Sequence, residues 1–469
     1  MLKTHNWIGI LIAALLVAGC SGGRTSPTPL LISTVLPPTA TLSPTPYPTL
    51  SPTDTAEPSA TPIGGGSIIA YTSWFGSVSL IKGDGSDAHT VGVAGSSAFP
   101  QWSPDGKWLA YLVLDGPFEE NGTESKPVRT AQLWVSAPDG SNSKQVAEFN
   151  YPQLAQGNTP VVDFLSYTHL FWSPDSTQLA YLNYVNHVET SQRTVDFEIW
   201  VASVSGGNKQ RIATATLAWD DWTYRTRPLA WSPDGSQIAY TTFSSSDHGV
   251  YVVSENGGEP KRLTDSKFAS YPTWTSDGKS ILFVESSILS HVTASGHPML
   301  SLTPGTLKLV SVEGGDVAKL SDEQVVEPTL SPDGSQVAYH VDGKGIVVLN
   351  LSDKTEMVVS PACAYFGNLY SIGWSQDGRL LAFESGTPIA NGCSFDENYG
   401  WRVFNLKDAE IVRIPSLWGG YSFSPDSTQL VAPSGSSSGF SGELMLAYLQ
   451  DGTKSSLGIN QVFGPIWQP

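Results

Sequence analysis

Trp102-Ser103-Pro104-Asp105-Gly106, followed closely by Leu109-Ala110-Tyr111, is the stretch on which the fold turns. Its pattern recurs from Trp172 to Ser176, Trp231 to Gly235, Trp274 to Gly278, Leu330 to Gly334, Trp374 to Gly378 and Phe423 to Ser427. In each copy an aromatic residue (once Leu) precedes Ser or Thr, then Pro, Ser or Gln, then Asp and a small residue. An apolar run follows, as in Ile238-Ala239-Tyr240 and Leu381-Ala382-Phe383. The chemistry is that of a tight hairpin. Pro presets φ, Asp accepts hydrogen bonds from nearby amides, and Gly takes the positive φ that ends the turn.

Working outward, each hairpin leads to a third strand-like run such as Leu133-Trp134-Val135 or Val250-Tyr251-Val252. A glycine turn follows (Gly206-Gly207, Gly257-Gly258), then a short fourth run such as Lys261-Arg262-Leu263-Thr264. Four strands per repeat, repeated along the chain, read as the blades of a β-propeller. The termini complete the count. Ile68-Ile69-Ala70-Tyr71 matches a second strand with no hairpin ahead of it, and Phe463-Gly464-Pro465-Ile466-Trp467 matches a first strand with nothing after it. With Trp467 in the aromatic position, the spacings are 70, 59, 43, 56, 44, 49 and 44 residues. The expectation is an all-β chain forming a single propeller of eight four-stranded blades, with seven as the alternative count. Pairing of the C-terminal strand with the N-terminal blade closes the ring and removes exposed sheet edges.

The W-S-P-D-G copies resemble the TolB-type propeller repeat, which is also found in the propeller domains of the prolyl oligopeptidase and dipeptidyl peptidase IV families. The resemblance covers residues 66–469 and implies the fold; it implies little about activity. TolB itself carries an added α/β domain, for which the chain offers no segment.

Ahead of the repeats, Lys3 precedes an apolar run from Ile8 to Ala18 and then Val17-Ala18-Gly19-Cys20. The run is shorter than the roughly 20 residues a membrane span needs and has the layout of a signal peptide. Its ending resembles a bacterial lipobox, so residues 1–19 are expected to be a lipoprotein leader and Cys20 the lipid-modified anchor. Residues 20–65 follow as a stalk of Ser, Thr, Pro and Gly, holding ten of the 33 prolines. Such a tract buries too little apolar surface to order itself. Extended at about 3.1 Å per residue, it would hold residues 66–469 up to roughly 100 Å from the membrane. The expected location is extracytoplasmic and membrane-anchored, at the cell surface or in the periplasm.

The formal net charge of −18 falls on residues 66–469, because residues 1–65 hold two acidic and two basic side chains. Nucleic acid, which requires clustered Lys and Arg, is disfavoured as a partner.

The connectivity sets the hairpin turns on one face and the strand 2–3 and inter-blade loops on the other. The long insertions, at 113–130, 183–196, 285–306, 386–399, 148–170, 213–229 and 360–371, all fall on that second face. They carry Tyr167, His169, Trp219, Asp220, Trp222, Tyr224, Arg225, Arg227, Tyr365, Phe366, Tyr370 and Tyr399. Tyr, Trp and Arg are enriched at binding hot spots, although any one of these residues could equally pack its own loop onto the rim. Cys363 and Cys393 fall on the same face and are expected to form a disulfide.

No catalytic constellation stands out. Gly435 to Gly439 fits G-x-S-x-G but lies in a loop between strands, not at the strand-to-helix elbow that a nucleophile needs. The eight histidines show no pair at ligand spacing, so no metal and no cofactor are implied. The sequence therefore reads as a non-enzymatic, monomeric binding or scaffold module of the cell envelope, engaging a protein, peptide or glycan. The alternative is a propeller enzyme, a lyase or glycoside hydrolase, with its site in the central channel or on the long-loop face.

Overall fold

The computed structural model describes residues 68–73, 76–92, 97–114, 128–152, 170–185, 194–218, 228–243, 248–292, 298–341, 343–360, 372–385, 387–389, 392–394, 399–417, 419–435 and 442–469. The expected leader, Cys20 and stalk lie outside them. Among the described residues every element is a strand or a turn, and the chain is all-β.

The strands form antiparallel sheets in chain order. Ser97–Trp102, Leu109–Leu114, Val128–Ser136 and Lys144–Pro152 make one four-stranded sheet. Leu170–Trp172, Gln178–Tyr184, Thr194–Ser203 and Lys209–Ala218 make the next, and Leu229–Trp231, Gln237–Phe243, His248–Ser254 and Lys261–Arg262 another. A seven-stranded sheet follows, from Ala269–Trp274 to Glu356–Ser360. In it, the 13-residue strand Ala318–Leu330 pairs with Gly305–Ser311 on one side and Gln336–Val341 on the other. One strand thus serves as the fourth of one repeat and the first of the next. Two further four-stranded sheets run from Ile372–Trp374 to Ile411–Pro415 and from Ser422–Phe423 to Lys454–Ser456.

Ile68–Ser73 has strands of the same chain on both sides. It pairs with Ser77–Lys82 and, across nearly the whole sequence, with Val462–Trp467, in the register Ile69 to Trp467 and Ala70 to Ile466. The split repeat read from the termini is therefore one sheet.

The apolar cores lie between successive sheets. Ala70, Val78 and Leu80 pack on Trp102, Leu109 and Tyr111; Ala338, Ile346 and Val348 pack on Leu381, Phe383 and Phe404. The last sheet packs in turn on the first, with Val431, Leu444 and Leu446 against Ile69, Ile81 and Trp467. At about 25 cal/mol per Å² of apolar surface removed from water, these inter-sheet layers supply the main stabilisation.

Some insertions are more ordered than the spacing suggested. The fourth strands extend through Pro152 and Ala218 into segments read as inter-blade loops. The insertion at 285–306 holds the hairpin Ile288–Val292 with Pro298–Leu302, and that at 386–399 holds Thr387–Ile389 with Gly392–Ser394.

Candidate functional site

The hairpins have the geometry their composition predicts. In Ser232 to Gly235, the Ser232 hydroxyl donates to Asp234 at 2.6 Å, and the Ser236 N–H donates to the same carboxylate oxygen at 3.0 Å. Gly235 then takes φ of 72°. The same bonds recur at Asp105, Asp175, Asp333, Asp377 and Asp426. The donors stabilise the ionised form, so Asp234 and Asp333 are held below the usual carboxylate range, by Ser232 and Ser331 foremost. These aspartates are turn residues.

The aromatic before each hairpin ties neighbouring inner strands together. The indole N–H of Trp231 donates to the Phe171 carbonyl at 2.9 Å, Trp274 to Ala230 at 3.0 Å, and Trp374 to Thr329 at 3.1 Å. Trp172 bonds Gln101, and Trp102 bonds Ile466 in the C-terminal strand. Each acceptor sits one residue before the aromatic position of the preceding repeat. Leu330 and Phe423 have no indole to offer.

Three residues further back the inner strands do something unusual. Phe99, Tyr271 and Glu327 each precede a proline and each has positive φ, of 59°, 55° and 52°. The side chain crowds the backbone at such φ, and a residue before proline is pushed towards extended conformations. All three sit at breaks in strand register. The bulge turns the side chain away from the direction that regular alternation would give it. In the C-terminal strand the matching position is Gly464, φ 56°, before Pro465.

Two of these re-aimed side chains, Tyr271 and Glu327, enter a cavity of about 800 Å³ among the inner strands. Its wall includes Trp102, Trp172, Trp374, Tyr421 and Phe423, and near the hairpins Ser103, Pro104, Pro332 and Gln376. The hairpin side, which the loop pattern set apart from function, thus borders this cavity. Tyr421 is braced by Trp401, with ring centroids 4.0 Å apart.

Beside this wall lies a carboxyl group in an apolar setting. Glu384, 3% exposed, lies in the strand Leu380–Ser385, and three of the other repeats carry Leu112, Leu182 and Val284 at the same step from the aromatic position. One oxygen accepts from the Gly419 N–H at 3.2 Å and the other from the Tyr399 hydroxyl at 3.2 Å. Burial pushes its pKa up to about 7 in spite of those two donors, and the charge of Glu327 adds to the rise. Glu384 therefore keeps its proton close to neutrality. His340, also buried, occupies the equivalent step in the neighbouring repeat and pairs with Val326, next to Glu327.

Of the residues picked from sequence, Tyr399 is described, and it departs from its expected place on an open face. It is 1% exposed and its hydroxyl is committed to Glu384. Tyr167, His169, Trp219, Asp220, Trp222, Tyr224, Arg225, Arg227, Tyr365, Phe366, Tyr370 and Cys363 lie outside the described residues, and Cys393 is described only as part of the strand Gly392–Ser394. The reading from sequence missed Glu327, Glu384, Tyr271 and Tyr421. Its available signals were the recurring proline two residues before the aromatic position and a glutamate at the step where three sibling repeats carry Leu or Val.

No family model matches the chain. Among curated relatives, it is 26% identical over 205 residues to the uncharacterized peptidase YuxL of Bacillus subtilis, a match covering 38% of this chain and 30% of that protein. It is 26% identical over 271 residues to the uncharacterized protein Atu1656 of Agrobacterium fabrum, covering 51% and 83%. A probable dipeptidyl-aminopeptidase B of Grosmannia clavigera is 24% identical over 220 residues, covering 39% of this chain and 21% of its own. The chain therefore spans less than a third of the two relatives named as peptidases. Similar solved structures include TolB from Acinetobacter baumannii (15% identity, 77% of this chain and 83% of that one, TM-score 0.34). The β-propeller domain of the Trilobed protease from Pyrococcus furiosus is another (14%, 78% and 95%, TM-score 0.41). The expectation that the chain is not an enzyme is corrected by these relatives, since two of the three are named as peptidases. The structural neighbours of this all-β chain include TolB-like β-propeller proteins.

Proposed function

We propose that the chain is a propeller enzyme whose acid–base centre is the Glu327–Glu384 carboxyl pair in the central channel, acting on a glycosidic bond. The observation that carries this reading is the buried Glu384 carboxyl, raised to about 7 beside Glu327, which lines an aromatic cavity on a strained backbone. A group that titrates near the working pH suits proton transfer, and strained φ persists where the surroundings over-determine it, often at functional sites.

Glu327, ionised beside the protonated Glu384, takes a proton from the water that adds to the anomeric carbon as the glycosidic C–O bond breaks, and hands that proton to the departing oxygen, which restores the enzyme. Each half of the cleaved link gains a hydroxyl. The positive charge that develops on the sugar ring faces a carboxylate and aromatic rings, both of which favour it. Glu384 is a positioning residue; it tunes the protonation of Glu327 from behind the wall.

The propeller is read as a closed ring of eight blades. The six four-stranded sheets count as six, and the seven-stranded sheet as two sharing Ala318–Leu330. Anchoring through lipid on Cys20, with residues 20–65 as the stalk, would set residues 66–469 in the cell envelope, where glycans and peptides are the available partners.

A second reading, the propeller portion of a peptidase, is favoured by the relatives named as such. The test is mass-spectrometric detection of cleavage by the full chain across matched sets of oligosaccharides and peptides. Cleaved oligosaccharide, lost in Glu327→Gln, supports the proposal. Cleaved peptide alone supports the second reading, and cleavage of neither refutes both.

A further inference from the structure

The indole ties between inner strands are unevenly distributed. Each inner strand has room for two, one from its own aromatic N–H to the strand before it and one from the next aromatic to its carbonyl. Ser97–Trp102, Leu170–Trp172 and Leu229–Trp231 make both. Ala269–Trp274, Ala318–Leu330, Ile372–Trp374 and Val462–Trp467 make one each. Among the described residues, Ser422–Phe423 is the inner strand that makes neither. Phe423 has no N–H to give, and the indole N–H of Trp467, next along, is buried without a partner. What crosses that seam is the Trp467 backbone N–H, which donates to the Ser422 hydroxyl at 3.0 Å. The strand is also short, pairing with its own sheet through Ser422 to Val431 and Phe423 to Leu430.

The far end of the same sheet is anchored on both sides. Ser434, just past the strand Gln429–Pro433, bridges Leu417, and Gly442, just ahead of Leu444–Tyr448, bridges Val462. The Gly435 N–H adds a bond to the Ser416 carbonyl at 3.2 Å. The hairpin itself is stiff, since the Ser424 hydroxyl donates to Asp426 at 2.6 Å. Ser422, Phe423, Ser424 and Pro425 line the cavity. This stretch of wall is thus rigid within itself, held at its far end and untied at the channel. Swinging it outward breaks no indole bond and gives water to the Trp467 N–H, whose burial without a partner disfavours the closed arrangement. We propose that Ser422–Ser427 is a gate in the cavity wall, opening by local motion to admit ligand while the tied inner strands stay in place. The gate serves whatever the cavity takes up, glycan or peptide.

The test is hydrogen–deuterium exchange of the full chain read by mass spectrometry, joined to hydroxyl-radical footprinting. Corrected for intrinsic rates, residues 421–433 should exchange at least about tenfold faster than the matching residues 229–241, as befits two missing bonds. Trp467 and Trp102 both line the cavity and are 7% and 6% exposed. Static exposure therefore gives them equal oxidation, whereas the gate makes Trp467 oxidise several-fold faster. Phe423→Trp supplies an indole for the Gly373 carbonyl and should slow exchange at 421–433 about fivefold, with circular dichroism checking its fold. Should that variant fail to fold, Trp231→Phe combined with Trp274→Phe strips both ties from Leu229–Trp231. Exchange at 229–241 should then rise towards that of 421–433. Equal exchange of the two segments in the wild type, or equal oxidation of the two tryptophans, overturns the proposal. So does exchange at 421–433 that is unchanged in folded Phe423→Trp, or exchange at 229–241 that is unmoved by the double substitution.

Discussion

Replacing Glu384 by Gln isolates the energetic cost of keeping a carboxyl group in this place. The amide retains the shape of the side chain, its oxygen able to accept from the Gly419 N–H and its NH₂ able to face the Tyr399 hydroxyl, so packing and hydrogen bonding change little. What is lost is ionisation. The folded-state pKa is raised, from 4.5 to about 7, so the folded chain holds a proton that the unfolded chain releases. Stability is therefore full below about pH 4.5, falls as pH rises towards 7, and is flat beyond. At about 1.4 kcal/mol per pKa unit the fall amounts to about 3 kcal/mol. Urea unfolding of both proteins at half-unit steps from pH 4.5 to 9 reads this directly. The variant should match the wild type near pH 4.5 and exceed it by about 1–3 kcal/mol at pH 8, the gap opening between those limits. A difference independent of pH, or a variant less stable at pH 8, would refute the reasoning.

The same kind of accounting extends to the other devices of the fold. Trp231→Phe keeps the ring and removes its 2.9 Å bond to the Phe171 carbonyl, and should cost about 1 kcal/mol in urea unfolding; a cost near zero would mean that the indole tie is incidental. Glu327→Gly places at φ 52° the residue type that Gly464 already supplies in the C-terminal strand. Its Tm should equal or exceed that of the wild type while cleavage is lost, and a marked drop in Tm would show that the position is not strained. Asp234→Ala should lower Tm at pH 7. Because the folded pKa of Asp234 is depressed, its contribution is present above the ordinary carboxylate value and fades as pH falls through the lower one. Scanning calorimetry at pH 7 and pH 3 should therefore show the gap narrowing, and a constant gap contradicts the turn role.

How much of this could be read from the residues alone depends on what each residue has to do. The hairpins were legible because Ser, Asp and Gly act locally: a donor, an acceptor and a positive φ within five residues determine a turn wherever they occur. The pairing of Val462–Trp467 with Ile68–Ser73 was legible as well, since each terminus held the half of a repeat that the other lacked. The merging of two repeats through Ala318–Leu330 was not, because nothing between Leu320 and Val325 marks whether a strand ends. Tyr399 reads in sequence as a loop aromatic, yet its burial depends on the partner Glu384 from another strand. The carboxyl pair was missed for a related reason. A single glutamate at a step that also carries Thr241 and His340 in other repeats is a weak mark until the sheets bring it near Glu327, and the positive φ that aims Glu327 is a property of the register break, which the proline after it marks only by recurring.

The central claim is that the Glu327–Glu384 pair moves the proton in catalysis. It is tested most directly by the pH dependence of kcat/KM for cleavage of an oligosaccharide by the full chain. The account predicts a limb with an apparent pKa near 7, displaced by more than about one unit in Glu384→Gln, with activity lost in Glu327→Gln. A profile that is unchanged by Glu384→Gln, or cleavage that survives Glu327→Gln, would contradict it.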